Sequence, residues 1–146
     1  MKKLNVTDIT WVVSMDADSE VQGLKKRLGL EGYEFYKSAF QEYLCDYFNG
    51  VRDCKKRQGK SINPLGGITA NGGKKLKVRW ITPGSGKSGG YRVGLLAYCE
   101  RREVLLCLVS ERKDEPSDEE LEESFQDGDS KRAEERERQR DEDDEA

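Results

Sequence analysis

The sequence contains no histidine among its 146 residues. This absence excludes Ser-His-Asp and Cys-His catalysis, zinc sites with imidazole ligands, and the imidazole base that many nucleases use. Acid or base chemistry in this protein must therefore come from Lys, Arg, Tyr, Asp, Glu or Cys side chains, or from the substrate itself.

Long apolar runs are missing as well. No segment approaches the roughly 18 apolar residues that a membrane helix requires, and residues 1–15 lack the apolar stretch of a signal peptide. The four cysteines lack the paired spacing of a zinc site: Cys45, Cys54, Cys99 and Cys107. We therefore expect a cytoplasmic protein with reduced thiols, no membrane association, no metal and no other cofactor.

Acidic residues are absent from the middle of the chain. Between Cys54 and Cys99 there is no Asp or Glu, whereas ten residues are Lys or Arg. Residues 1–110 contain 19 basic and 11 acidic residues, and residues 111–146 contain 7 and 18, so net charges of +8 and −11 underlie the overall −3. A basic field of this kind suits a polyanion such as RNA or DNA, or an acidic partner; the plainer interpretation is a solvated basic face.

Hydrophobic periodicity predicts two N-terminal helices after a first strand. Residues 9–15 alternate with period two, which is typical of a strand. A helix is predicted from about Ser19, with Gly29 and Gly32 as interruptions. In residues 33–48, aromatic and apolar side chains recur at spacings of three and four, which predicts a helix packed on a sheet.

Three strand-like runs follow a long, Gly-rich and basic loop predicted over residues 55–73. They cover residues 76–80, 91–99 and 103–110, and because short turns join neighbouring strands we expect a small antiparallel sheet. The predicted fold class is therefore α+β, with two N-terminal helices packed on that sheet in a domain of residues 1–113.

The most informative segment is PGSGKSGGYRV, residues 83–93. Its GSGKS core has the look of a nucleotide-binding P-loop, but Ile81 stands where that motif requires its first glycine. The residues from Tyr91 onward also predict a strand, whereas a P-loop is followed by a helix whose N-terminus meets the phosphates. We therefore reject a P-loop.

Together with KVRW at residues 77–80, this segment resembles the signature of RelE/HigB-like toxins of bacterial toxin–antitoxin systems, approximately K-L-R-x-A-x-x-G-x-G-K-S-G-G-x-R-V. The resemblance covers about residues 72–123. It implies a microbial-ribonuclease-like fold and a metal-independent endoribonuclease that cuts messenger RNA, commonly in the ribosomal A site. It also implies a cognate antitoxin that neutralises the protein.

The resemblance further implies that the RNA supplies its own nucleophile, since its 2′-hydroxyl attacks the adjacent phosphate. We predict Arg79 and Arg92 as phosphate clamps, because a guanidinium group is a fixed bidentate fork for phosphate oxygens. Lys77, which shares a strand face with Arg79, is the candidate base or electrostatic stabiliser, and Lys87 is a further clamp in the Gly-flanked loop. Four other basic residues are predicted to contact RNA: Lys74, Lys75, Arg112 and Lys113.

The C-terminal sequence leaves two interpretations open. We predict a short acidic helix over residues 114–126 and a charged tail over residues 127–146 that is disordered or at most a solvated helix. The tail is either a solubilising appendage or a segment that folds back and competes with RNA for the basic patch. Two alternatives to the toxin remain: a catalytically weak member of the same fold that binds RNA, ribosome or antitoxin, and an unrelated basic nucleic-acid-binding domain.

Overall fold

A five-stranded sheet separates two helices in the computed structural model of the chain, which describes residues 4–50, 62–82, 90–111 and 114–145. A 3-10 turn at Val6–Asp8 precedes the first strand. The elements that follow are β1 (Thr10–Val13), α1 (Met15–Gly50), β2 (Ile62–Ile68), β3 (Lys74–Trp80), β4 (Tyr91–Tyr98), β5 (Glu103–Glu111) and α2 (Asp118–Glu145). The predicted α+β class is confirmed.

The sheet is mixed, with strand order β1-β5-β4-β3-β2. Neighbouring strands from β2 to β5 are antiparallel, whereas β1 pairs with β5 in parallel, with Thr10 opposite Glu103 and Val13 opposite Leu106. The predicted antiparallel sheet is confirmed for the strands at residues 76–80, 91–99 and 103–110, and it is wrong for β1. A long crossover that contains α1 connects β1 to the rest of the sheet, and such a crossover permits parallel pairing.

Strand β2 lies within the segment that the sequence predicts as a loop. It contains Pro64, Gly66 and Gly67, which are typical turn residues, and its pairing with β3 is irregular between Pro64 and Ile68. Because β2 is an edge strand, its proline does not interrupt a second ladder of hydrogen bonds. Of the rest of the predicted loop, residues 69–73 form the turn between β2 and β3, and residues 55–61 lie outside the described residues.

Helix α1 contains both of the predicted N-terminal helices in one element. It begins directly after Ser14, whose hydroxyl accepts a hydrogen bond from the Ala17 N–H at 3.3 Å, so the N-cap is Ser14 and the prediction of a start near Ser19 is wrong. Gly29 has φ 76° and ψ 167° and breaks the helix into two segments. Glycine adopts a positive φ without the steric cost that other residues pay.

The aromatic residues of α1 form a core with one face of the sheet. Phe40 stacks on Trp80 with ring centroids 4.7 Å apart, and the Trp80 indole N–H donates to the Tyr36 carbonyl at 3.1 Å. Leu76, Val78 and Trp80 of β3 are all buried in this core. Since side chains alternate along a strand, the intervening Lys77 and Arg79 lie on the opposite face of the sheet.

Helix α2 covers part of that opposite face. Its Leu121 and Phe125 are buried with Leu96, Tyr98, Leu105 and Cys107 of β4 and β5. Two glycines allow close approach of helix and sheet. A Cβ atom on Gly94 would overlap Leu121, and one on Gly128 would lie 2.8 Å from the Cys107 Sγ.

The structure does not confirm a disordered tail over residues 127–146, because α2 extends to Glu145. Its middle part contacts the sheet through polar groups: Asp129 is buried, and Arg132 lies 2.8 Å from Glu103 of β5. An ion pair between Lys131 and Asp127, one turn apart, supports the helix further. None of the helices in the described ranges is long and apolar enough to span a membrane.

Asp129 anchors α2 to the turn between β2 and β3. Its carboxylate accepts hydrogen bonds from the Tyr98 hydroxyl at 2.6 Å, the Thr69 hydroxyl at 2.8 Å, and the Asn71 side-chain and backbone N–H groups at 2.9 and 3.2 Å. Burial would by itself raise the pKa of Asp129, but these hydrogen bonds outweigh it and lower the pKa. Burial raises the pKa of Tyr98, and the hydrogen bond to Asp129 adds to that effect.

Candidate nucleic-acid interface

Three of the predicted catalytic residues lie together on the face of the sheet that carries α2. Lys77 and Arg79 project from β3, and Arg92 projects from the neighbouring strand β4. Arg79 pairs directly with Arg92 in the antiparallel register, and Lys77 pairs with Gly94, one step along the same face. We call Lys77, Arg79 and Arg92 the cationic patch.

The two arginines of the cationic patch belong to a row that crosses three strands. Arg79 is opposite Arg92, and Arg92 is opposite Ser110 of β5. Side chains in directly opposed positions have Cβ atoms about 4.5–5.5 Å apart, and like charges at that separation are destabilising. A bound anion between the two guanidinium groups would remove this repulsion.

Two polar atoms of the row are buried without a hydrogen-bond partner among the residues that the structure describes. They are the Nε of Arg79 and the hydroxyl oxygen of Ser110. Buried polar atoms in folded proteins are nearly always hydrogen-bonded, so an exception requires an explanation such as a ligand site. Both groups can donate a hydrogen bond to an acceptor such as a phosphate oxygen.

A carboxylate already contacts the cationic patch. The Oε1 atom of Glu115 lies 2.7 Å from the Lys77 Nζ and 4.0 Å from the Arg92 Nε. The Lys77 side chain is 28% exposed and the Arg92 side chain 12% exposed, so solvent reaches Lys77 more readily. Glu115 belongs to the segment between β5 and α2.

The two predicted RNA contacts at the start of β3 have different surroundings. Lys75 is 8% exposed and donates to the Glu122 carboxylate of α2 at 2.6 Å, a hydrogen bond that lowers the pKa of Glu122. Lys74 is two residues before Leu76 in β3, so strand alternation places its side chain on the face of the sheet that packs against α1. The structure therefore does not bring Lys74 to the cationic patch, and α2 covers Lys75.

The remaining predicted site residues lie outside the described residues: Lys87, Arg112 and Lys113. The structure thus places three of the four predicted catalytic residues together. It also adds Ser110 and Glu115, which the sequence did not indicate as site residues. The sequence predicts Ser110 at the end of a strand, which is a weak indication of its position. Glu115 lies in a segment without hydrophobic periodicity, so nothing in the sequence indicates its position.

The chemistry available to this site is anion binding. Guanidinium and ammonium groups offer charge-assisted hydrogen bonds to phosphate oxygens, and the Ser110 hydroxyl adds a neutral donor. Within residues 4–50, 62–82, 90–111 and 114–145, no group of three His, Cys, Asp or Glu side chains is arranged to hold a metal ion. Comparison with protein-family models, with curated proteins and with solved structures finds no match to this chain.

Proposed function

We propose that this protein is the toxin of a toxin–antitoxin pair and an endoribonuclease that cuts messenger RNA in association with the ribosome. The observation that carries the proposal is the direct cross-strand pairing of Arg79 with Arg92 on a face that also presents Lys77. The resemblance of residues 72–123 to RelE/HigB-like toxins supports the substrate, the partner and the type of reaction. Lys87 belongs to the same proposal as a further phosphate clamp.

The arginine pair supports phosphate binding for an energetic reason. Two cations in opposed positions of a sheet repel each other, and a fold that retains them gains stability when an anion neutralises both. A phosphodiester has two non-bridging oxygens that carry its charge, and two guanidinium groups match them well. The Ser110 hydroxyl, in the same row, offers a further hydrogen bond to the bound group.

The proposed reaction uses the RNA as its own nucleophile. The 2′-oxygen loses its proton and forms a bond to the adjacent phosphorus, while the bond from phosphorus to the 5′-oxygen breaks and that oxygen gains a proton. The products are a 2′,3′-cyclic phosphate end and a 5′-hydroxyl end. Arg79 and Arg92 stabilise the negative charge that grows on the phosphorane, and Lys77 is the candidate base or an additional electrostatic stabiliser.

A second candidate function is RNA or antitoxin binding without cleavage. The contact of Glu115 with both Lys77 and Arg92 favours it, because a cation that is engaged by a carboxylate is less available to a transition state. The binding module and the enzyme share the cationic patch. They differ in whether RNA ends are produced.

Induced expression with mapping of RNA ends tests the proposal. The unmodified protein should arrest growth and produce cyclic-phosphate ends on messenger RNA. The double variant Arg79→Ala/Arg92→Ala should relieve the arrest and lower the cleavage rate by at least about 10³-fold, because each lost donor to a phosphorane costs about 10²–10³ in rate. The matched control is Arg138→Ala/Arg140→Ala, which removes two exposed arginines from α2.

The control variant should behave as the unmodified protein, and both double variants should keep the thermal unfolding midpoint within a few degrees. RNA binding without new RNA ends would select the binding module. If the folded, unmodified protein neither binds nor cleaves RNA, both functions are refuted.

A further inference from the structure

We propose that the chain's own acidic segment competes with RNA for the cationic patch, with the Glu115 carboxylate in the position of an RNA phosphate. We call residues 114–122 the acidic strap. The inference rests on the proposed RNA binding and adds its regulation: an RNA must displace Glu115 before its phosphate can contact Lys77 and Arg92.

The first support is the geometry of Glu115. One carboxylate oxygen, Oε1, faces both the Lys77 ammonium group and the Arg92 guanidinium group, at 2.7 and 4.0 Å. A carboxylate and a phosphodiester offer the same kind of anionic acceptor to Lys and Arg. An RNA phosphate that contacts Lys77 and Arg92 therefore takes the place of this carboxylate oxygen.

The second support is that the acidic strap lies alongside strand β3 and pairs with its lysines. Lys75 and Lys77 project from β3 to the same face, and both pair with carboxylates of the strap, Glu122 at 2.6 Å and Glu115 at 2.7 Å. Charge complementarity between the two segments thus extends over two positions of β3. Arg79, the next residue of that face, has no ion pair among the described residues, which leaves one arginine to make the first contact with an anion.

The third support is that both ends of the strap are held near the sheet. Strand β5 ends at Glu111, and α2 begins at Asp118, where the Ser117 hydroxyl accepts a hydrogen bond from the Glu120 N–H at 3.2 Å. Leu121 then packs against Gly94, the residue opposite Lys77 in β4. The docked helix keeps Glu115 close to the patch, so the competitor is present at a high local concentration.

The contact is nevertheless weak enough to be displaced. The Glu115 side chain is 42% exposed and that of Lys77 28% exposed, and exposed ion pairs contribute little because water and salt screen them. An RNA that also binds Arg79 and further cations can therefore replace Glu115. The carboxylate lowers the affinity for RNA without abolishing binding.

RNA affinity of the full-length protein tests the inference. The probe is a short single-stranded RNA with 2′-O-methyl groups, which cannot be cleaved, and binding is measured by fluorescence anisotropy. Glu115→Gln should lower the Kd by about two- to fivefold at low salt, the range expected for one exposed ion pair, and the gain should disappear at high salt. The matched control is Glu123→Gln, which removes the same charge from an exposed position of α2.

Each outcome of this affinity measurement either supports or overturns the inference. A gain for Glu115→Gln that clearly exceeds the gain for Glu123→Gln supports the inference. A gain for Glu115→Gln that is no larger than the gain for Glu123→Gln overturns it while leaving the proposed function intact. Loss of cleavage by Glu115→Gln at saturating, cleavable RNA would identify Glu115 as a catalytic residue and would also overturn it. Absence of RNA binding by all three folded proteins would refute the proposed function itself.

Discussion

A single buried carboxylate, Asp129, fixes the position of α2 on the sheet. Its relative exposure is 1%, and both of its oxygens accept hydrogen bonds from the Tyr98 and Thr69 hydroxyls and from Asn71. A buried charge that loses such partners is strongly destabilising. A buried donor that loses its acceptor is also destabilising, because no hydrogen bond offsets its desolvation. At the scale of one residue, loss of the Asp129 carboxylate is therefore expected to destabilise the fold.

The substitution Asp129→Asn should lower the free energy of unfolding by about 2–4 kcal/mol at pH 7, because the amide N–H₂ group faces hydrogen-bond donors. The folded state lowers the pKa of Asp129 below the unfolded value of about 3.9, so its stabilising effect is present above that pH and is lost as the pH falls through the folded-state pKa. The difference between the two proteins should thus be constant above about pH 5 and shrink below about pH 4. Urea unfolding at a series of pH values measures it.

Asp127→Asn is the matched control for that series. Asp127 pairs with Lys131 on the surface of the same helix, at 3.0 Å, and such pairs contribute about 0.3–0.5 kcal/mol. A difference for Asp129→Asn that stays constant down to pH 2 would contradict the assigned role of the carboxylate.

At the scale of elements, α2 shows how a highly charged helix packs on a sheet. Leu121 and Phe125 supply the apolar contacts, and Asp129, Arg132 and Arg136 continue the same side of the helix with hydrogen bonds and ion pairs to the body of the domain. Phe125 is completely buried. The docking of α2 therefore depends on two apolar side chains, one of them aromatic, and on a polar network.

We expect Phe125→Ala to lower the free energy of unfolding by about 3–5 kcal/mol, the usual result of truncating a buried aromatic side chain. The matched control is Phe35→Ala on α1, since Phe35 is 67% exposed and its truncation should change stability by less than about 0.5 kcal/mol. Chemical unfolding of both variants gives the comparison. A loss of unfolding free energy for Phe125→Ala as small as that for Phe35→Ala would show that α2 is not docked in solution.

The sequence predicts the helices and strands that have a local hydrophobic pattern. It does not predict those that form only by pairing with a segment far away in the sequence. The aromatic residues of α1 and the alternation in β3 are local patterns, and the structure confirms both. Strand β2 contains Pro64 and two glycines, so its local signal is that of a loop, and only its pairing with β3 makes it a strand. The parallel pairing of β1 with β5 is likewise invisible to local patterns.

The same distinction holds for the site. Lys77 and Arg79 share a face by strand periodicity, and the predicted pairing of two neighbouring strands brings Arg92 beside them. Glu115 comes from a segment without periodicity, and its contact with Lys77 depends on where α2 docks. Beyond Phe125 the packed side of α2 is polar, and hydropathy alone assigns such a sequence to a solvated tail.

At the scale of the whole molecule, the two faces of the sheet have different chemistry. One face is covered by the aromatic residues of α1, and the other carries the cationic patch beside a helix with a strongly acidic sequence. The net charge of −3 therefore does not describe the surface that RNA would meet. Binding at the patch should depend strongly on salt even though the protein as a whole is acidic.

For an uncleavable single-stranded RNA, the logarithm of the binding constant should fall with the logarithm of salt concentration with a slope of magnitude at least about 2, since each of the three phosphate contacts of the cationic patch contributes about −0.7 and Lys87 adds to them. Arg79→Ala/Arg92→Ala should reduce the magnitude of the slope by about 1.4, because two of these contacts are lost. Arg138→Ala/Arg140→Ala should leave it unchanged. A slope near zero in the unmodified protein would mean that RNA does not bind through these cations.

The parallel pairing of β1 with β5 has a consequence for the order in which the protein can assemble. The Ser14 hydroxyl donates to the Cys107 carbonyl, and 93 residues separate the two. While the polypeptide is being synthesised, β1 has no neighbour until β5 has left the ribosomal exit tunnel, and β4 lacks one of its two neighbours until then. The sheet that positions the arginine pair is thus completed only after translation has passed residue 111, so a nascent chain stopped earlier would lack the finished RNA-binding surface.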